Sequence, residues 1–434
     1  MTRTLIRLAL PNMAVMLVQA SVGLIETFWI GKLGTDALAG VALVFPVVML
    51  IQMMSAGAMG GGISSAIARA LGAGRRAEAD ALVLHALAIG IGFGLVSTAI
   101  VLGLGPGLYS LLGGSGPALR AALTYSNVVF AGAVLVWTFN SLASAVRGTG
   151  NMSLPATVTW VGAAAVVPLS PCLIFGLGPF PRLGVAGGAA ALLLYYAAGS
   201  AFLAGYLRSG RSVVQLTLSG VRFRWPLFDA ILRVGLVAAL VTIQTNLTIA
   251  IATGFVGRFG AAAIAGYGTG ARLEYLLVPL VFGLGGPLVA MVGTNIGGDQ
   301  RHRAVRTAWI GAGIAGGLCE AIGLTAAAFP HAWLALFDRD PAMLDAGSHY
   351  LRTVGPFYGL FGLGLALYFA SQGAGRLLWP VLANFTRLVL AAAGGWLALQ
   401  LGGTLAMVFL AQSAGLAAFG LMNASAIARG AWRV

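Results

Sequence analysis

From Leu8 to Gly31 the chain carries one charged side chain, Glu26, and from Ala37 to Ala68 it carries none. Apolar runs of this length recur along the whole sequence, separated by short stretches rich in Arg, Gly and Pro. A bilayer core about 30 Å thick is crossed by about 20 helical residues. Windows of that length fall at 8–30, 41–64, 81–104, 121–145, 155–177, 185–207, 229–256, 273–296, 304–328, 353–374, 379–400 and 404–428. The period-2 alternation of outer-membrane strands is absent, so the pattern predicts an all-α integral membrane protein of twelve transmembrane helices.

Composition agrees. Hydrophobic residues make up 59% of the 434 and charged residues 8%, where a soluble domain carries about 25% charged residues. So few charges cannot clothe a water-soluble surface. Arg3 and Arg7 before the first run resemble the start of a secretory signal, but no small-residue cleavage site closes that run, and a first membrane helix is expected. Cys172 and Cys319 fall inside predicted spans and read as small apolar fillers, with no metal or redox motif around them.

The net charge of +14 raises the possibility of a nucleic-acid partner, which its distribution argues against. With the N-terminus inside, 18 of the 25 Lys and Arg residues fall on the cytoplasmic side and 7 on the other. That is the positive-inside bias, and it predicts both termini in the cytoplasm. A single lysine and 64 glycines point to a GC-rich bacterial genome, hence to a bacterial inner membrane.

The sequence is also written twice. GKLGTDALAGVAL at 31–43 returns as GRFGAAAIAGYGT at 257–269, ARALGAGRRAEA at 68–79 as GTNIGGDQRHRA at 293–304, and RGTGNMSLP at 147–155 as QGAGRLLWP at 372–380. Three matches, in order and at an offset of 225 or 226, predict two six-helix lobes. Their expected bounds are 1–208 and 209–434, with the Arg-rich segment 208–228 as connection. Six spans per repeat is an even number, so both halves enter the membrane in the same sense, as in transporters whose substrate path lies between parallel repeats.

An ionisable group inside a membrane helix costs about 2.5–3.5 kcal/mol on insertion scales, so Glu26 needs a reason. It sits late in the first span, where pairing with Lys32 at the interface is one explanation. The other starts from Asn12, Gln19 and Glu26, which recur every seven residues and so share one helix face. A polar stripe of that kind faces a cavity or partner helices. In the second repeat Ala252 stands where Glu26 stands in the first. Thr242, Asn246 and Thr253 share a face of the seventh span with Gln244 close by, and the eighth opens with ARLEY, which holds Glu274. Glu274 reads as a second cation site or as a structural residue. Aromatic, methionine and amide side chains suited to amphiphilic organic cations are Met53, Tyr125, Trp137, Asn140, Tyr358 and Tyr368, and each reads equally as bundle packing. Intramembrane basic residues are read as few, Arg233 and Arg272 near span ends.

The LG-containing turn after the first span, ALGAG after the second, RGTGN…P after the fourth and IFGLG…LGVAGGA around the fifth and sixth resemble the MATE family, the multidrug and toxic compound extrusion transporters. ARLEYLLVPL, VGTNIGG and QGAG carry the likeness through the second half. The resemblance implies a cation-driven antiporter that exports organic molecules by alternating access, needing no cofactor beyond its coupling ion. It puts Glu26 at the place where the family's first helix usually holds an ion-exchanging aspartate. The family's fifth-span Asn-x-x-x-Asp-Pro is here Val166, Ser170 and Pro171, and a sixth-span threonine is Leu192. A carboxylate without those partners favours H⁺ over Na⁺, which prefers several oxygen ligands.

The expected partners are therefore a small-molecule substrate and the lipid bilayer, with the protein acting as a monomer. A flippase for lipid-linked precursors, from the same wider superfamily, is the alternative. No catalytic constellation, nucleotide loop or metal cluster appears; LGAGRRAE lacks the Lys-Ser/Thr of a phosphate loop, so the chain does not read as an enzyme.

Overall fold

The computed structural model describes residues 1–217 and 222–432, and no strand occurs among them. The side chains of Leu17, Gln19, Ala20, Leu24 and Tyr275 lie outside that description. Among the described residues eleven helices are long and apolar enough to cross a membrane, and one bent pair, taken as a single span, completes twelve. With no water in the bilayer to satisfy backbone groups, an apolar chain of this composition must close its hydrogen bonds within each helix.

The first repeat holds α1 (Thr2–Gly31), α2 (Thr35–Gln52), α3 (Gly60–Gly72), α4 (Arg76–Leu111), α5 (Gly116–Ala131), α6 (Ala133–Gly148), α7 (Ser153–Phe175) and α8 (Val185–Arg208). A π-helical segment, Met53–Met59, joins α2 to α3 within one span. The second repeat holds α9 (Trp225–Gly257), α10 (Ala261–Gly297), α11 (Arg301–Ala328), α12 (Pro330–Leu334), α13 (Pro341–Val354), α14 (Tyr358–Ala374), α15 (Leu378–Gln400) and α16 (Leu405–Ala428).

The fourth span is broken at Gly132, where α5 and α6 meet at 48°. The tenth is broken by a 3₁₀ turn at Gly355–Phe357, which includes the place 225 residues on. Glu320 of α11 serves that second break: its carboxylate accepts the backbone N–H of Gly359 at 2.7 Å, one of the donors a helix start leaves without an internal partner.

The copied motifs are copied backbone geometry. Gly148 lies so close to the Ser64 carbonyl that a Cβ would stand 2.9 Å from it, and Gly373 meets the Val289 carbonyl in the same way at 2.6 Å. Gly150 and Gly375 both take left-handed φ, 86° and 70°, where other residues are strained.

The chain forms two compact units. The N-terminal unit is Ala14–Gly235; the C-terminal unit is Met1–Met13 with Leu236–Val434. Each therefore includes the opening turns of the other repeat's first helix. Gly235 of α9 packs against Met59 inside the N-terminal unit, and Met13 of α1 packs against Gly283 inside the C-terminal one. The segment 208–228 is anchored to α4 on both sides of the undescribed residues 218–221. Asp80 accepts from the Gln215 N–H at 2.7 Å, and the buried His85 Nε2 accepts from the Arg224 N–H at 3.0 Å.

Candidate functional site

In the N-terminal unit Glu26 points inward and is 8% exposed. Its Oε1 accepts a hydrogen bond from the Tyr125 hydroxyl of α5 at 3.1 Å. Gly188 of α8 lies directly beside it, so that a Cβ there would stand 2.8 Å from Oε1. Beside it Ile30 on the same helix packs with Val44, Phe130 and Ile174, and Tyr196 of α8 lies near enough to interact with the charge of Glu26. Glu26 forms no ion pair among the described residues. Lys32 does not reach it, because the ammonium sits over the rings of Phe28 and Trp29 at 4.8 and 4.9 Å. The interfacial Glu26–Lys32 pair that the sequence leaves open is thus not formed.

The seven-residue stripe is divided. Asn12 belongs to the C-terminal unit, where its amide donates to the carbonyls of Phe282 and Gly283 at 3.3 and 3.2 Å. Gly283 O would bond the N–H four residues on, but that residue is Pro287, which has none. Asn12 supplies the missing donor. Gln19, the middle of the stripe, lies outside the described side chains.

A second polar group in the N-terminal unit surrounds the π-helical segment. Asn140 of α6 is 3% exposed and donates to Ser55 at 2.8 Å. The Gln52 amide oxygen accepts from Asn140 and from Tyr196 of α8, both at 3.4 Å. Met53, half-buried, opens the segment. A π-helical turn inside a span is a frequent mark of a functional site. Trp137 is buried on the other side, stacked on Phe93 at 5.2 Å with its indole N–H on Ser97.

The C-terminal unit has its own carboxylate. Glu274 Oε1 is paired with Arg387 Nη2 of α15 at 3.0 Å, and Oε2 accepts from the Tyr350 hydroxyl of α13 at 3.2 Å. Arg387 is 6% exposed and lies over the ring of Phe361. It is a third intramembrane arginine that the sequence reading missed, and it sits in mid-helix rather than at a span end. Tyr358 is fully buried in the same tyrosine group, while Tyr368 packs edge-on against Phe369. Asn246 is exposed and bonds only its own helix, to the Thr242 carbonyl. Gln244 accepts from Asn384 of α15, a buried amide that also holds the Val241 carbonyl and Thr245.

Twelve spans in a duplicated order, with an intramembrane carboxylate in each unit, define a multi-pass membrane transporter. The family model MatE matches this chain twice, over residues 11–172 and 238–397, and the chain belongs to that family. A protein of Shewanella oneidensis named as an FAD transporter is 28% identical over 395 residues, 89% of this chain and 86% of the relative. A probable multidrug resistance protein, NorM, of Thermotoga maritima is 26% identical over 393 residues, 88% of this chain and 82% of the relative. A multidrug resistance MATE transporter solved in an outward-facing conformation superposes with a TM-score of 0.86 at 25% identity, covering 99% of this chain and 97% of that one.

Proposed function

We propose that this protein is a proton-driven antiporter that exports organic small molecules by alternating access, with Glu26 as the coupling carboxylate. The observation that carries the reading is the solitary, buried Glu26 with Tyr125 as its hydrogen-bond donor and no cation beside it. Burial without a countercharge makes the charge on this carboxylate costly, so that its proton occupancy has structural consequences. Loss of the proton leaves a charge for which Tyr125 is the one hydrogen-bond donor among the described residues, and binding of a proton removes that cost. A group of this kind biases a two-state equilibrium by its occupancy. A single oxygen neighbour at hydrogen-bond distance among the described residues suits a proton better than Na⁺.

The substrates proposed are amphiphilic or cationic organic molecules, in line with the multidrug proteins among the relatives. The relative named as an FAD transporter makes a flavin dinucleotide the second class to assay. The flippase alternative has no support in these matches. We further read the protein as a monomer of the bacterial inner membrane with both termini cytoplasmic, which rests on the charge bias of its loops.

Proteoliposomes loaded with a fluorescent cationic dye, under separately imposed pH and Na⁺ gradients, test the reading. Efflux driven by the pH gradient in wild type and lost in Glu26→Gln is the expected result. Undiminished efflux in Glu26→Gln sinks the assignment of the carboxylate, and efflux driven by Na⁺ alone sinks the proton.

A further inference from the structure

The two carboxylates are held by tyrosines that the duplication makes equivalent. Tyr125 donates to Glu26 and Tyr350 donates to Glu274, and they stand 225 residues apart, the offset of the copied motifs. The acids themselves are not equivalent. Glu26 comes from the first helix of its repeat and Glu274 from the second. The first-helix place in the second repeat is Ala252, and Ala252 lines a small cavity with Glu274, Arg387, Tyr267, Thr248 and Gln412. The C-terminal unit therefore rebuilds the Glu26–Tyr125 arrangement around an acid contributed by the neighbouring helix.

What the copy adds is a cation. At the place 225 residues before Arg387 the first repeat has Gly162, which is covered by the ring of Tyr195, so the N-terminal unit has no counterpart to this guanidinium. We propose that Arg387 is a built-in substitute for an exchangeable cation. It occupies, beside Glu274, the position a proton or Na⁺ would take, and so keeps the second copy of the site from exchanging ions. This rests on reading Glu26 as the exchanging member.

The surroundings fit a fixed charge pair. Glu274 meets Arg387 from α15, Tyr350 from α13 and Tyr358 from α14, shares its cavity with Tyr267 of its own helix, and meets no second carboxylate among the described residues. The guanidinium meets the charge of the carboxylate beside it, and removing the guanidinium leaves an uncompensated charge that a small cation can relieve. The cavity gives such a cation room.

The test is ion binding to purified full-length protein, read by thermal unfolding across Na⁺ concentration and pH, in a Glu26→Gln background that silences the first site. With Arg387 intact, we expect no stabilisation by Na⁺ or acid. Glu26→Gln/Arg387→Met gains an upward shift of several degrees with one of them, and adding Glu274→Gln removes the gain. A Glu274-dependent shift with Arg387 intact overturns the proposal, as does the absence of any gain in Arg387→Met. Should Arg387→Met not fold, difference infrared spectroscopy of the Glu26→Gln protein decides. A carboxyl protonation band between mildly acidic and mildly alkaline pH that Glu274→Gln abolishes overturns the proposal, and its absence supports it. Failure of the Glu26 reading shows separately, as undiminished transport by Glu26→Gln.

Discussion

The Tyr125 hydroxyl meets Glu26 Oε1 at 3.1 Å, tying α5 to α1 through the single hydrogen bond that the carboxylate receives from another helix. A hydrogen bond to a charged group is worth about 1.5–3 kcal/mol, roughly tenfold to a hundredfold in a rate or equilibrium constant. Tyr125→Phe is therefore expected to slow pH-driven efflux at least tenfold, through the step in which Glu26 is charged. In Glu26→Gln the same change should cost far less stability, since residues in contact are not additive. A thermal-unfolding double-mutant cycle measures this, and additive effects would break the link between the two side chains.

Gly188 sets the room in which Glu26 stands. A methyl group 2.8 Å from Oε1 cannot be accommodated without moving the carboxylate, and overpacking of this kind costs about 1–3 kcal/mol. Gly188→Ala should reduce transport about tenfold or more by turning Glu26 away from Tyr125. Glu26→Asp withdraws the carboxylate by one methylene, so Gly188→Ala/Glu26→Asp should transport better than Gly188→Ala alone. Efflux assays on the three variants check the order, and no rescue by aspartate would mean that Gly188 acts elsewhere.

The twelve spans were legible because a bilayer imposes length and apolarity on every crossing. The duplication was legible because its loop glycines have backbone jobs that other residues perform poorly. Gly148 and Gly373 each meet a carbonyl of a neighbouring helix, so the motif survives where lipid-facing residues drift. The bend in span four and the 3₁₀ turn in span ten are not legible, since an apolar run looks the same bent or straight. Glu26 was found by its cost in the membrane, but its partner was not. The sequence offers Tyr125 as a candidate for a substrate cleft, and its repeat mate Tyr350 at the common offset is the signal that points instead to a partner of the carboxylate. Arg387 was missed because one arginine in an apolar run was counted with its loop, whereas the fold buries it on a glutamate 113 residues away. Asn12 and Glu26 fit one helical face, and the fold divides that face between two units.

The glycine contacts carry their own prediction. Gly373→Ala would place a Cβ 2.6 Å from the Val289 carbonyl, and Gly148→Ala one 2.9 Å from the Ser64 carbonyl. Backbone cannot yield as a side chain can, so each change should cost about 1–3 kcal/mol of stability without touching Glu26. Both variants should show lower unfolding midpoints in detergent, Gly373→Ala the lower of the two. Wild-type midpoints would show that α6 and α14 pack less tightly on their neighbours than these contacts require.

Asn12 and Pro287 make a pair that can be tested by restoring what the proline removed. Pro287 lacks the N–H that Gly283 O would otherwise accept, and the Asn12 amide fills that place at 3.2 Å. Asn12→Ala should leave a buried carbonyl unsatisfied at a cost of about 1–3 kcal/mol, seen as a lower unfolding midpoint. Pro287→Ala returns a backbone donor to α10, so Asn12→Ala/Pro287→Ala should recover much of the loss. The decisive number is the coupling between the two changes. A positive coupling assigns Asn12 to the integrity of α10, while strict additivity, together with loss of pH-driven efflux in Asn12→Ala, returns it to the polar stripe of α1.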